Sequence, residues 1–237
     1  MGELFGVEIF CGSRERIIAR CRNMIGKSGA IATVNPEILR ESVYCEELWR
    51  ALQRSVNVPD GIGVAKALLL KGEYTDVYPG VELGEALLDE APVRFGIIGA
   101  RPGVAKRAAV ALAVKHKGAS FVLAEDGYTT TEEQARKLIN EKGAELVFVC
   151  MGSPKQEIFI DRIRDECRGT LFVALGGSAD IYSGDKRRAP RMIRAARLEW
   201  AYRMLSEPKR LMRAPLLFDF CILSVLEPTV YRKIDKS

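Results

Sequence analysis

An aspartate at the end of a β-branched run, followed by two glycines, can serve as a general base if the run is a strand that ends in a cleft. Asp60 has this setting in Val58-Pro59-Asp60-Gly61-Ile62-Gly63, and its carboxylate could take the proton of an attacking hydroxyl. Asp-Gly is equally an ordinary turn dipeptide. The stretch Gly96 to Gly103 (GIIGARPG) reads as a strand-to-helix glycine turn. Backbone N–H groups at the start of a helix suit a phosphate, and Arg101 adds positive charge. The stretch is neither GxGxxG nor a P-loop, and a tight turn alone would also account for it. In Met151 to Glu157, Ser153 reads as an N-cap and Pro154 as the first helical residue. Capping does not account for Lys155 and Gln156, which should face the same rim as the other loops.

Other chemistries find little support. His116 is the one histidine, and in Val114 to Gly118 it reads as an exposed helix end where positive charge is favourable. Six cysteines are scattered without CxxC or a Cys/His cluster, as expected of buried thiols in a reducing compartment. No Asp-x-Asp triplet occurs, which disfavours a diphosphate held through a metal by that arrangement.

These groups need elements to position them. Short apolar runs at 30–34, 55–59, 93–98, 120–124, 146–151 and 171–175 alternate with helical patterns. The helices are expected from Pro36 towards Trp49, over 63–70, up to His116, from a cap at Thr130 or Thr131 through Asn140, and from Pro154 to about Cys167. This alternation predicts an α/β, Rossmann-like parallel sheet with helices on both faces. Polar or glycine-rich residues follow strand after strand: Thr33 to Asn35, Asp60-Gly61, Gly99 to Gly103, Gly152 to Gln156, and Gly176-Gly177 to Asp180. In such a sheet, ligands bind at the carboxyl ends of the strands, so these loops should converge on one rim.

Composition, at 48% hydrophobic and 28% charged, suits one sizeable core without a linker. The charge is uneven. Lys186 to Ser237 holds 13 Lys/Arg against five Asp/Glu, or +8, so the overall +5 leaves the first 185 residues at −3. We therefore expect a core over 1–185 and a basic helical appendage over 186–237 with an anionic partner. Arginines 187, 191, 194 and 197 share one arc of an expected helix over 186–205, either as a solvated face or as a face over phosphates or anionic lipid. The start has no feature of a secretory leader. The apolar tract Leu216 to Leu226, interrupted by Asp219 and Ser224, is too short to span a bilayer.

Taken together, ATVNPEIL (32–39), PDGIGVAKA (59–67), FGIIGARPGVAKRA (95–108), VCMGSPKQEIFI (149–160), LGGSADIYSGDKRRAP (175–190) and LEWAYRMLSEPKR (198–210) resemble the WecG/TagA/CpsF family of bacterial glycosyltransferases, in the family's order from about Ala30 to Arg213. The resemblance implies a metal-independent, inverting, hexosyltransferase-type enzyme. Such an enzyme carries a sugar from a UDP donor to a polyprenyl-diphosphate-linked sugar at the inner face of the cell membrane. The best-known members transfer N-acetylmannosamine for wall teichoic acid; others transfer a uronic acid or hexoses for capsule and exopolysaccharide. No cofactor is implied, because the UDP-sugar is a substrate. Asp60 matches the family's proposed base, Thr33 and Asn35 match polar residues of the cleft, and Gln156 matches a residue expected near the sugar. With Gly99, Arg101, Gly176, Gly177 and Asp180 these make the expected substrate-binding set. Arg203, Arg210 and Arg213 are the expected diphosphate or membrane contacts. A homo-oligomer that hides the cleft until the appendage meets membrane is compatible with this reading.

Two loops depart from the family pattern. The arginine that usually precedes Gly-x-Asp-Leu is missing from Val77-Tyr78-Pro79-Gly80-Val81-Glu82-Leu83, where Glu82 replaces Asp, and Ala179-Asp180 replaces Phe-Asp. Both bear on donor choice or on activity itself. Two rival classes fit less well. A nucleic-acid-binding protein would interleave aromatics with its basic residues, and a nicotinamide-dependent dehydrogenase would carry GxGxxG.

Overall fold

A computed structural model of the protein describes residues 1–89, 92–195, 199, 201–202 and 214–234. Eight strands form one sheet: β1 (Gly2–Leu4), β2 (Val7–Ile9), β3 (Gly29–Val34), β4 (Val56–Pro59), β5 (Val93–Gly99), β6 (Ala119–Glu125), β7 (Leu146–Cys150) and β8 (Leu171–Ala174). Their order is β1-β2-β4-β3-β8-β7-β5-β6. Every pairing is parallel except the β1–β2 hairpin. The expected α/β, Rossmann-like sheet is therefore present, with strands at all six of the places expected.

Strands β3, β7 and β8 are buried along their whole length, as continuous apolar runs covered on both faces should be. Alternate side chains feed opposite cores. Ile31, Phe95, Ile97, Phe148, Leu171 and Val173 meet helices α1 (Arg14–Arg22), α5 (Gly80–Leu88), α6 (Val104–Lys115) and α9 (Ser178–Tyr182) on one face. On the other face, α2 (Pro36–Ser42), α3 (Glu46–Gln53) and α4 (Ile62–Leu70) cover the β1 side. Helices α7 (Glu132–Lys142) and α8 (Lys155–Ile163) cover the β6 side of that face. A 3-10 turn (Arg164–Glu166) follows α8, and a short α10 (Arg191–Ala195) and a long α11 (Ala214–Ile234) lie towards the carboxyl end.

Several elements differ from the sequence expectation. The helix expected from Pro36 to Trp49 is two helices, since the chain leaves helical geometry at Cys45 (φ −122°, ψ 100°) before α3 begins. The hairpin β1–β2 was not anticipated. It turns on Phe5 (φ 54°) and Gly6 (φ 68°), the two left-handed residues of a type I′ turn. A phenylalanine is a poor choice there on local grounds. Its ring is buried and meets Phe220 of α11 edge-on, with centroids 5.7 Å apart. His116 is not exposed: it caps α6 but is buried, with Nδ1 2.7 Å from Asp89 Oδ1.

Helix α11 contains the apolar tract read at Leu216 to Leu226. Phe220 and Leu223 bury into the core beneath α2. The two polar interruptions have partners: Asp219 Oδ2 accepts from Arg40 Nε at 2.6 Å, and the Ser224 hydroxyl donates to Phe220 O at 2.8 Å. The opposite side leaves Phe218, Ile222 and Val225 exposed. Among the described residues, no helix is long and apolar enough to cross a membrane.

Candidate functional site

At the carboxyl edge of the sheet, successive strands feed helices on opposite faces. Strand β3 leads into α2 on one face while its neighbour β8 leads into α9 on the other, and β7 and β5 diverge likewise into α8 and α6. Diverging neighbours leave room for a ligand between their loops. The registers Val34 with Pro59, Ala32 with Ala174, Val149 with Ala174, and Gly99 with Cys150 align the ends. The loops that begin at Asp60, Asn35, Leu175, Met151 and Ala100 therefore all leave from one edge of the sheet, at the ends of β4, β3, β8, β7 and β5. The five loops expected at one rim all leave this carboxyl edge.

On the β4–β3 side, the rim is built of side chains. The Asp60 N–H donates to Val34 O at 2.7 Å, which extends the ladder one residue past β4. Gly61 (φ 117°) then turns the chain into α4. Gly63 lies so close to Pro36 that a Cβ there would sit 2.6 Å from the ring. The starts of α2 and α4 are thereby drawn together beside Asp60, which is half-buried. Asn35 caps α2, its Oδ1 accepting from Ile38 N at 3.0 Å. Thr33 is buried, its hydroxyl donates to Ala174 O at 2.8 Å, and Gly80 of α5 packs against it. Thr33 thus ties β3 to β8 and seats α5 beneath the rim.

A cluster of arginines adjoins Asp60. Tyr78 N donates to Pro59 O at 2.9 Å, and the Arg14 guanidinium lies over the Tyr78 ring at 4.2 Å. Arg14 also donates to Val77 O at 3.3 Å and pairs with Glu82. Glu82 accepts from Arg188 at 2.7 Å and lies 3.6 Å from Arg194. Arg188 also lies 3.5 Å from Glu199. Burial raises the Glu82 pKa, but the pairs with Arg14 and Arg188 outweigh it and hold the carboxyl below its ordinary range. The Nε–H groups of Arg188 and Arg194 are buried without an acceptor among the described residues. So the segment that lacks the family's arginine has a guanidinium supplied by α1. Nothing local in the sequence signals this, because Arg14 and Glu82 are 68 residues apart. The arc of basic residues read over 186–205 is not wholly solvated: Arg194 turns inward onto Glu82, as does its neighbour Arg188.

On the β8–β7–β5 side, the rim is built of backbone. Gly99 (φ 128°) could not carry a Cβ, which would lie 2.4 Å from the Cys150 carbonyl carbon. Ala100 is left-handed (φ 60°), and its N–H donates to Cys150 O at 2.7 Å, so the first N–H of the glycine turn is engaged within the sheet. Gly103 (φ 79°) opens α6 without a side-chain cap. Arg101 reaches Asp185 at 3.3 Å, and Arg107 reaches both Asp185 oxygens at 2.8 Å. The Arg107 hydrogen bonds, with both positive charges, lower the Asp185 pKa. Asp180 is met by Lys186, whose Nζ lies 3.4 Å away.

Gly152 (φ 81°), Gly176 (φ 53°) and Gly177 border open space, since a Cβ at any of them would meet nothing within 4 Å. Beneath them sits Gln156, whose Oε1 accepts from Gly152 N at 3.2 Å and Gly176 N at 2.8 Å. Lys155 Nζ donates to Gly127 O at 2.9 Å, tying α8 to the loop after β6. Helix α8 begins at Lys155, with Pro154 as its cap residue and no side-chain cap bond, so Ser153 is not the N-cap expected. Ala179, the second departure from the family pattern, is fully buried in the core beneath α9 rather than facing the cleft. Arg203, Arg210 and Arg213, with Arg197, lie outside the described residues.

The model of the glycosyl transferase WecG/TagA/CpsF family matches residues 2–233. The chain therefore belongs to that family and is a glycosyltransferase. The match reaches beyond the 30–213 read from the sequence and takes in the amino-terminal hairpin and most of α11.

Proposed function

We propose that this glycosyltransferase moves a sugar, N-acetylmannosamine or a related hexose, from a UDP donor to a polyprenyl-diphosphate-linked sugar during synthesis of a cell-surface polymer. The observation that carries the reading is the shared carboxyl edge, where Asp60 and Asn35 follow β4 and β3 and the open glycines 176, 177 and 152 follow the neighbouring β8 and β7. Strands lie about 4.8 Å apart, so Asp60 and the β8 loop are separated by roughly 10 Å, the scale of a sugar joined to a diphosphate. Asp60 deprotonates the acceptor hydroxyl, which attacks the anomeric carbon and inverts it in one displacement. UDP departs towards the glycine loops. With the N–H groups of Ala100, Gly152 and Gly176 engaged within the protein, other backbone N–H groups of these loops and arginines, in place of a metal, stabilise its developing charge.

The appendage acts as cover and membrane contact. Its support is the exposed apolar side of α11 at Phe218, Ile222 and Val225, together with the basic balance of 186–237. Because Phe220 and Leu223 are buried on the body, deleting the helix would expose the core. Phe218→Asp with Val225→Asp is the cleaner test, expected to weaken binding to anionic liposomes while sparing turnover of a short soluble acceptor. The decisive assay for the function is UDP release from a panel of UDP-hexoses and UDP-uronic acids with a lipid-linked N-acetylglucosamine analogue, with and without EDTA. Turnover that is abolished by EDTA, or absent with every donor, would refute the proposal.

A further inference from the structure

Gln156 and Glu157 are 2% and 3% exposed, neighbouring polar side chains at the start of a helix that otherwise turns Phe159, Ile160 and Ile163 into the core. Their bonds explain the placement. The Gln156 carboxamide oxygen accepts two N–H groups from two different loops, those after β7 and β8. Its Nε2 donates to Glu157 Oε1 at 2.8 Å. The reverse orientation of the amide would set NH₂ against two N–H donors, so the two glycines dictate which end points where. Glu157 completes the arrangement by accepting from the end that remains. Glu157 Oε2 is buried without a well-formed hydrogen bond among the described residues; burial raises the pKa, outweighing the Ser153 side chain and the Glu157 backbone, which favour the charged carboxylate. A half-used buried carboxyl is costly, and its presence calls for a reason other than stability. Gly152 and Gly176, the loops so held, are left-handed and border the open side of the cleft.

We propose that Gln156 and Glu157 are a positioning pair that holds the Gly152 and Gly176 loops as one platform for the donor's sugar-diphosphate, with Gln156 acting from below the platform rather than touching the sugar. The inference rests on the reading of this rim as a nucleotide-sugar cleft. Glu157 acts through Gln156, and Gln156 acts through the two backbone N–H groups it orients.

Exchange of the pair tests it. In Gln156→Glu the new carboxylate still accepts both N–H groups, but a donor between it and Glu157 now requires a proton shared by two buried carboxyls, so the comparison is made at alkaline pH, where that proton is lost. In the double variant Gln156→Glu/Glu157→Gln the donor is restored from the other side. Wild-type turnover of a UDP-sugar is established first; its absence refutes the cleft reading itself, and UDP affinity by calorimetry then serves as the readout for the pair. With an active wild type, Gln156→Glu should raise donor KM about tenfold with a much smaller change in kcat, and the double variant should return KM to within about threefold. Glu157→Met, which removes the carboxyl and keeps the volume, covers the case in which Gln156→Glu does not fold. Relief of the buried carboxyl offsets the Gln156 Nε2 left without its acceptor, so the melting temperature should change by only about a few degrees while donor KM rises several-fold, a split that a purely structural role would not produce. An unrescued double variant would show that Gln156 touches the sugar directly. An unchanged KM in Glu157→Met would remove Glu157 from the pair. Either result overturns the proposal.

Discussion

At the ends of β3 and β4 the rim is made of side chains, whereas at the ends of β5, β7 and β8 it is made of backbone. Asp60, Asn35, Tyr78 and the arginines around Glu82 define the first half. Gly99, Gly152, Gly176 and Gly177 define the second. The division follows from the chemistry proposed for each. Removing a proton needs a titratable group held at a fixed place. Receiving phosphate needs N–H groups and close approach, which a Cβ would obstruct. The charged half is held by side-chain pairs across long sequence separations. The glycine half is held from beneath by one carboxamide.

Substitutions can break this contrast, and the largest effect is expected in the charged half. Asp60→Asn should lower kcat by about 10²- to 10⁴-fold with little change in melting temperature, and near-normal turnover would remove Asp60 as the base. In the glycine half the largest effect should fall on folding. Gly99→Ala places a Cβ 2.4 Å from backbone at φ 128°, so a loss of about 3 kcal/mol or more is expected in denaturant unfolding. Next comes Glu82→Gln, which leaves Arg14, Arg188 and Arg194 facing a neutral amide. Because the pairs are partly exposed, the loss should be about 2 kcal/mol rather than that of a fully buried pair. Asn35→Ala removes a cap and should cost about 1 kcal/mol. Smallest, and opposite in sign, Ala100→Gly should stabilise by up to about 1 kcal/mol by relieving a left-handed alanine.

The halves should also separate by pH. Glu82 has a lowered pKa in the folded protein, so its contribution is present above the unfolded carboxyl pKa and is lost as pH falls through the folded value. Burial raises the Glu157 pKa against weaker opposition from Gln156 and neighbouring groups. Its contribution is present below the unfolded pKa and is lost as pH rises through the folded value. In unfolding measured across pH, Glu82→Gln should flatten the acid limb, and Glu157→Gln should flatten the decline on the higher side. The same effect from both variants would show that the two carboxyls share one environment.

Much of this organisation was legible beforehand. The continuous apolar runs of β3, β7 and β8 announced a buried parallel sheet, and strand-end polarity marked the rim. Local hydrogen-bond chemistry was also readable. Of the caps offered at Thr130 or Thr131, the structure takes Thr131, in a capping box with Gln134. Less was legible where the reason is distant. Phe5 in a type I′ turn looks unfavourable until Phe220 arrives from the far end of the chain. Val77 to Leu83 lacks an arginine until Arg14 is laid over Tyr78. The departure at Ala179 suggested a change in the cleft, yet its side chain belongs to the core.

The sequence by itself determined six of the eight strands, their parallel arrangement, the residues that end them and the family to which the chain belongs. Each of these depends on spacing within about ten residues or on motifs read in register. Only the tertiary structure decided what those end residues do with their polar atoms. Thr33 closes the sheet, Gln156 clasps two loops, and Glu82 gathers arginines from α1 and from the segment after α9. A hydrogen bond depends on which groups meet in space, and that is set by how the sheet is wound.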